Sequence, residues 1–419
     1  MNINLLQLKK QLKQRRQQRL YESKPLGSAI KFKRRQMNMT LEEGAEGICS
    51  VSYLSKLENN LIEVGEKFVD RLIDRFDLKE VEDTSIEQYH GHKLMLVDHM
   101  VRQTRPEDTL AGYGQRHDVQ AQLIRMVHHT CQGRSDLAFR SYHDVRLYLP
   151  RLHDDEVGLF LYCLHDILYK VERYQDAYEL LLLIPEKALM LHKMKLLVMR
   201  GKLKNAFAMH RLSEIMTSYR PYIRLSLELQ YYHLVYEIEA DHLKFETAYQ
   251  PLAHILDKLA VMQQIDQQQA ALIHLHALFH QHRYEAVIEL SEANKALPLE
   301  GYKIYLLAVD QLGDQARMQR LLKADQPSYK PTPSLYLLMR HLHYKYLCEK
   351  EEMLSYLRSD ILGVRHITDD YLLLHHLMVD TQKLFSRYHY YKEAVQVTSK
   401  LLPVIRHLQK RPPNESFTP

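Results

Sequence analysis

TLEEGAEGICSVSYLSKLENN, residues 40–60, is the stretch whose reading decides how the front of this chain folds. Thr40 stands where a helix cap belongs, and Glu43 three residues on completes a capping box. Gly44 and Ala45 are small where this first helix must let a partner approach closely. Ser50 caps a second helix, in which Leu54 and Leu57 share one face. Ser52, Ser55, Lys56 and Asn59 share the opposite face, since successive residues are turned by about 100°. Two short helices around a tight turn form a helix-turn-helix. An apolar back and a front of short polar groups with one Lys suit insertion into a DNA major groove.

Charge supports the same reading on the element that precedes it. Residues 1–35 carry eleven Lys or Arg against one acid, Glu22, and the rest of the chain is net acidic although the whole stands at +5. Lys33, Arg34 and Arg35 end this basic stretch and are candidate phosphate contacts, the sequence-independent part of DNA affinity. Residues 36–84 hold twelve acids and five bases, so the basic footprint belongs to the first helix and its extension. Residues 1–24 form a basic extension open to three roles: a DNA-binding arm, a helix packed on the body through Leu5, Leu8 and Leu12, or a solvated tail.

The register of Thr40, Ala45, Ile48, Ser50, Leu54, Ser55, Leu57 and Glu58 resembles the phage-repressor-like, Xre-type helix-turn-helix family. The variant GICSVSYLSKLEN, residues 47–59, is similar to the Rgg/PlcR/NprR class of peptide-pheromone regulators. The likeness spans Pro25–Leu78 and departs from the usual pattern at Gly44, where Leu is common, and at Asn60, where Gly usually ends the helix. The resemblance implies base contacts from Val51, Ser52 and Lys56, with Tyr53 adjacent. The full candidate DNA-binding set is Ser50, Val51, Ser52, Tyr53, Ser55, Lys56 and Asn59 with Lys33, Arg34 and Arg35.

Further on, the chain reads as helix throughout. It has 419 residues, 46% of them hydrophobic, with 13 Gly, 14 Pro and no Trp, few breakers for so long a chain. No apolar run approaches the roughly 18 residues of a membrane span, and the start lacks a secretion signal's apolar core. Cys49, Cys131, Cys163 and Cys348 are scattered without metal or disulfide spacing. The expectation is a cytoplasmic, reduced protein that keeps clear of membranes. Residues 25–84 form the helix-turn-helix domain, 85–114 a connecting helix and linker, 115–408 a repeat region and 409–419 a disordered tail.

The repeat region is marked by segments of the form charged or Gly, aromatic, two residues, Ala. They occur at Ala138, Ala177, Ala206, Ala248, Ala286, Ala316, Met353 and Ala394, on average about 37 residues apart. Each follows an apolar-periodic helix such as GLFLYCLHDILYKV, residues 158–171. This resembles the tetratricopeptide repeat, without its Trp and mostly without its terminal Pro. The fold class expected is therefore all-α: an N-terminal five-helix helix-turn-helix domain, then a right-handed TPR-like helical solenoid of about eight helical pairs. Such a solenoid presents a binding surface for a peptide or protein. Counting back from each Ala mark gives inward-facing Tyr162, Asp166, Tyr169, Lys195, Gln230, His233, Glu237 and Tyr305 as candidate peptide-binding residues. Their hydrogen-bonding groups suit a short extended peptide, and a Lys its carboxylate.

Other chemistry is disfavoured. His276 and His280 stand at i, i+4, as metal ligands on a helix do, but no HExxH-type carboxylate accompanies them. Four His-Asp dipeptides fall at unrelated repeat positions, and no phosphate-cradling Gly-rich loop or nucleophile elbow is present. No cofactor, metal or enzymatic activity is expected. By resemblance, the chain is a homodimeric transcriptional regulator that binds a double-stranded DNA operator under control of a short signalling peptide. Two alternatives stay open: a module whose repeats sequester a regulatory, phosphorelay-type protein, and a phage-borne lysis-lysogeny regulator of the same architecture.

Overall fold

The computed structural model describes residues 3–18, 26–58, 62, 65–76, 84–107, 113, 119–262, 264–294, 297–323, 331–363 and 367–409. Among these residues the protein is all-α, with 22 α-helices and no strand. No helix among them is long and apolar enough to cross a membrane. The chain divides into two compact units, residues 1–167 with 180–197, and residues 168–179 with 198–419.

In the first unit, α1 (Leu5–Gln18) starts at Asn4, whose Oδ1 accepts from the Gln7 amide at 3.1 Å. Leu8 is fully buried and α1 packs against a short 3-10 turn, Leu149–Arg151, while Arg146 donates to Gln7 Oε1 at 3.2 Å. Of the three roles open for this extension, its described part takes that of a packed helix. Leu5 and Leu12 are only half-buried.

The helix-turn-helix region follows as α2 (Leu26–Gln36), α3 (Leu41–Ala45), α4 (Val51–Glu58) and α5 (Glu66–Arg75). Ile30, Ala45, Leu54, Leu57, Leu72 and Phe76 make one small core beneath them. Beyond it come α6 (Thr84–Arg102), α7 (Val119–Cys131), α8 (Ser135–Leu147) and α9 (Asp154–Lys170). The Tyr89 hydroxyl donates to Glu156 Oε1 at 2.6 Å, and Lys93 pairs with Asp155, tying α6 to the start of α9. The expected linker, Thr104–Gly114, lies partly outside the described residues.

The remaining helices are α10 (Tyr174–Leu182), α11 (His192–Ala208), α12 (Leu212–Glu228), α13 (Tyr232–Glu246), α14 (Leu252–Val261), α15 (Gln267–His280) and α16 (Tyr284–Ala293). After them come α17 (Leu299–Leu312), α18 (Gln315–Lys323), α19 (Pro333–Tyr346), α20 (Lys350–Tyr356), α21 (Tyr371–Arg387) and α22 (Tyr391–Gln409). In the second unit α13 packs on α15, α15 on α17 and α17 on α19, so alternate helices form a contiguous row.

One turn recurs between them. Gly133, Glu172, His210, Gln230, His282, Gly313 and His389 all have positive φ, and each separates two helices. At His282 the amide bonds to Phe279 O at 3.0 Å and the next amide, of Arg283, to Leu278 O at 3.0 Å. This is the Schellman pattern, which satisfies carbonyls left open at a helix end. The same pair of bonds is made at the other six positions.

These turns correct part of the repeat register. Ala138, Ala177, Ala286, Ala316, Met353 and Ala394 lie near the starts of α8, α10, α16, α18, α20 and α22, but Ala286 is half-buried and Ala316 exposed, with Val287 and Met318 taking the buried places beside them. Ala206 instead sits in the last turn of α11, and Ala248 in the turn after α13. The helix that follows His210 begins RLSEI, with Ile215 where the helices after Gly133, Glu172 and His389 carry Ala. The look-alike segment GKLKNAF belongs to the end of the helix before it.

Candidate functional site

The two helices at the front of the chain are capped as their sequence dictates. Thr40 Oγ1 accepts from the Glu43 amide at 3.2 Å, and Glu43 Oε2 accepts from the Thr40 amide at 2.6 Å. Those bonds hold the Glu43 carboxyl below its ordinary range. Ser50 Oγ accepts from the Tyr53 amide at 3.1 Å and so starts α4. Between the helices Gly47 takes φ +72°, the left-handed conformation that a tight turn requires of it. Arg75 closes this turn by donating to Glu46 O at 2.7 Å.

Gly44 is where α3 meets its neighbours most closely. A Cβ there would lie 2.9 Å from Arg34 Cδ and 3.2 Å from both Leu54 Cδ2 and Phe76 Cζ. The departure from the family's usual Leu is therefore a packing requirement of this chain.

α4 presents two faces. Leu54 and Leu57 are fully buried, while Val51, Ser52 and Lys56 are exposed and Ser55 is half-exposed. Positions 51, 52, 55 and 56 form one stripe of the helix, with the exposed Ser50 at its start. Lys33 and Arg35, half-exposed and exposed, stand at the C-terminal end of α2. Tyr53 departs from the stripe: its ring meets Phe68 at 5.0 Å and its hydroxyl accepts from the Gly65 amide at 2.8 Å, anchoring α5. Asn59 lies outside the described residues.

Arg34 corrects the expectation of a phosphate contact. It is buried, and its Nε and Nη2 grip Glu58 at 2.6 and 2.9 Å while Nη1 donates to Met39 O at 2.6 Å. The hydrogen bonds to Glu58 raise the guanidinium's pKa further. A two-pronged Arg–carboxylate pair fixes geometry as well as charge, so Arg34 locks the end of α2 to the end of α4. In the sequence Glu58 stands out only as a family-register position, with nothing to pair it with Arg34.

The second unit carries a different site. A seam of charged side chains runs across α11, α13, α15 and α17. Arg200 donates to both oxygens of Glu237 at 2.8 and 2.7 Å, and Lys204 pairs with the same carboxylate. Burial would raise the Glu237 carboxyl, but these two cations outweigh it and hold it at about 2. Lys244 reaches Glu300 at 3.1 Å, which also meets His276 Nε2 at 3.1 Å. Lys303 pairs with Asp370, the N-cap of α21. Asp241 lies 4.0 Å from Lys204, and burial raises its carboxyl despite that cation and Lys244. Burial pushes the Tyr169 hydroxyl up to about 12.

The eight residues projected onto the repeat surface divide accordingly. Glu237 is a member of the seam, and Tyr169 feels Lys204, Asp241 and Glu300 electrostatically. Gln230 is instead the left-handed residue of the turn between α12 and α13. His233 and Lys195 are exposed, displaced because Ala248 and Ala206 mislead the register. Tyr305 is buried and donates to Glu292 at 3.1 Å. Tyr162 is buried and Asp166 half-buried, both in the first unit. The seam residues missed from sequence, Lys204, Asp241, Lys244, Glu300 and Lys303, had a signal. Charges at helical spacing share a face, as in Glu237, Asp241 and Lys244 of α13, Arg200 and Lys204 of α11, and Glu300 and Lys303 of α17.

His276, of the i, i+4 pair disfavoured as metal ligands, is engaged with Glu300. A second group, Asp310, His376 and Asp380, brings ligand atoms within 4.8 Å of one another. Lys345 Nζ stands among them, 2.8 Å from Asp310 Oδ1 and 2.6 Å from Asp380 Oδ1. His341 adds a 2.9 Å contact to Asp380. The ammonium already supplies the positive charge these carboxylates need, so this cluster acts as a buried lock joining α17, α19 and α21.

Residues 30–82 match the helix-turn-helix family model. No curated protein and no solved structure matches the chain. The matched segment contains α3, α4 and α5 with their shared core, and it supports a DNA-binding transcriptional regulator.

Proposed function

We propose that this chain acts in the cytoplasm as a homodimeric, peptide-responsive regulator of transcription, of the kind the Rgg/PlcR/NprR resemblance suggests. The DNA half of this reading rests on the exposed stripe of α4 together with the family match over residues 30–82. Val51, Ser52, Ser55 and Lys56 would meet base edges, Ser50 the backbone beside them, and Lys33 and Arg35 the phosphates. Two such heads on a dimer would read two half-sites of an operator.

The peptide half rests on the charged seam of the TPR-like region. Its alternating acids and bases offer bonds to peptide backbone, to a terminal amine and to a terminal carboxylate. Asp241 is the group best placed to take a peptide cation, because Lys204 approaches it only at 4.0 Å. A peptide that binds two arrangements of the dimer unequally would shift operator affinity by that difference.

The test is DNA selection with the purified full-length chain, followed by titration of the recovered operator. Lys56→Ala should cost about 1–3 kcal/mol in affinity and relax sequence preference at one position. Recovery of no preferred sequence would overturn the DNA reading. A change of operator affinity on adding a short peptide, lost in Asp241→Asn, would support the gating. Its absence across a pool of short peptides would overturn that part alone.

A further inference from the structure

The strongest unassigned surface in the second unit lies on α12. Its inner face is spent on the core, with Glu214, Ile215, Tyr222 and Ser226 buried. Its flank carries Leu212, Met216, Tyr219, Ile223 and Leu227, at steps of four, three, four and four residues, which is one stripe of a helix. Leu212, Met216 and Leu227 are 52%, 72% and 46% exposed, and between them Tyr219 and Ile223 are half-buried, Tyr219 with its ring stacked on His242. Beside Tyr219, Ile223 and Leu227 a shallow groove is rimmed by Arg220, Arg224, Glu228 and, from α13, Glu239.

The charges on this rim are arranged so that the surface complements itself. Arg220 and Glu228 stand four residues either side of Arg224, with opposite sign. Within one copy Arg224 holds Glu228 at 2.8 Å, an exposed pair that leaves the carboxylate open to a second cation. If a second α12 lies antiparallel across the groove, with a twofold axis near Ile223 and Arg224, Ile223 meets its own copy. Tyr219 then meets Leu227 of the second copy, and Arg220 meets its Glu228; the twofold repeats both contacts. Glu239 has its carboxyl raised by burial, and the same placement brings the second copy's Arg224 toward it. A closed twofold interface requires one patch that is its own complement, and an apolar centre with paired charges at its edge is how such interfaces are built.

We infer that the exposed stripe of α12 is the surface on which two copies of this chain pair, antiparallel about Ile223–Arg224. This deepens the homodimer part of the proposed function and depends on it.

Sedimentation of the full chain across a wide concentration range supplies the reading, with charge reversal as the probe. Arg220 and Glu228 are both exposed, so Arg220→Glu and Glu228→Arg leave the core of the unit untouched. Each single reversal should weaken the dimer about tenfold or more, and the double reversal should restore it. Ile223→Cys should form an inter-chain disulfide under oxidation, mapped by mass spectrometry apart from the four native cysteines. A wild-type dimer unaffected by either reversal, with no cross-link at position 223 in the Ile223→Cys variant, would overturn this surface and leave the homodimer standing. A wild-type chain that sediments as a monomer throughout would overturn both.

Discussion

At Arg34 an expected DNA contact turns out to be a structural clamp, and the two roles predict opposite behaviour. Removing the guanidinium strands Glu58 in a buried position, which costs about 3 kcal/mol. Arg34→Met should therefore lower the melting temperature of the helix-turn-helix region; a phosphate contact would weaken DNA binding and leave melting unchanged. Thermal melts beside binding titrations separate the two. Gly44 makes a second residue-level test. A methyl group there collides with Arg34, Leu54 and Phe76 at 2.9–3.2 Å, and Gly44→Ala should destabilise by about 1–3 kcal/mol. A variant as stable as the parent in urea would show that Arg34 gives way freely. Lys56, by contrast, touches no core, so its loss should be felt in binding only.

The short helices at the front were legible because local rules govern them. Thr40, Glu43 and Ser50 make the very bonds their types and spacing announce. The long helices were harder. Their existence follows from scarce Gly and Pro, but the register depends on the turns, and among the described residues five of the seven Schellman turns from α7 onward place Glu, Gln or His where Gly is usual. With no Gly at His210 to mark that turn, GKLKNAF reads as the start of a second helix, although it closes α11. That disguise has an energetic side. A non-Gly residue in the left-handed region costs on the order of 1 kcal/mol, so Gln230→Gly, at an exposed turn, should raise stability by about 0.5–1 kcal/mol. Chemical denaturation would read the gain, and a loss would mean that the Gln230 side chain contributes more than its backbone strain removes.

For the molecule as a whole, burial sets the response to acid. Burial holds His210 at about 4 and His280 at about 3, below the ordinary value near 6.5. The unfolded chain therefore takes up these protons first, so their contribution is complete above pH 6.5 and falls away toward pH 4 and 3. Glu237, held at about 2 by Lys204 and Arg200, adds a loss that begins below about 4.5. Melting temperature should be level above pH 7 and decline from pH 6.5 downward, less steeply in His210→Gln. A flat profile from pH 7 to 5 would contradict the burial of these rings.

The order in which the chain supplies its two compact units has a consequence for synthesis. Residues 168–179 belong to the second unit, and 180–197 return to the first. Neither unit is one uninterrupted stretch, so a ribosome delivers the opening piece of the second before the last piece of the first. The first unit has all its parts only once residue 197 has left the exit tunnel. A single cut or stop codon that keeps all of either unit must carry a piece of the other with it, and a fragment ending at residue 167 would emerge without the segment that completes the first unit.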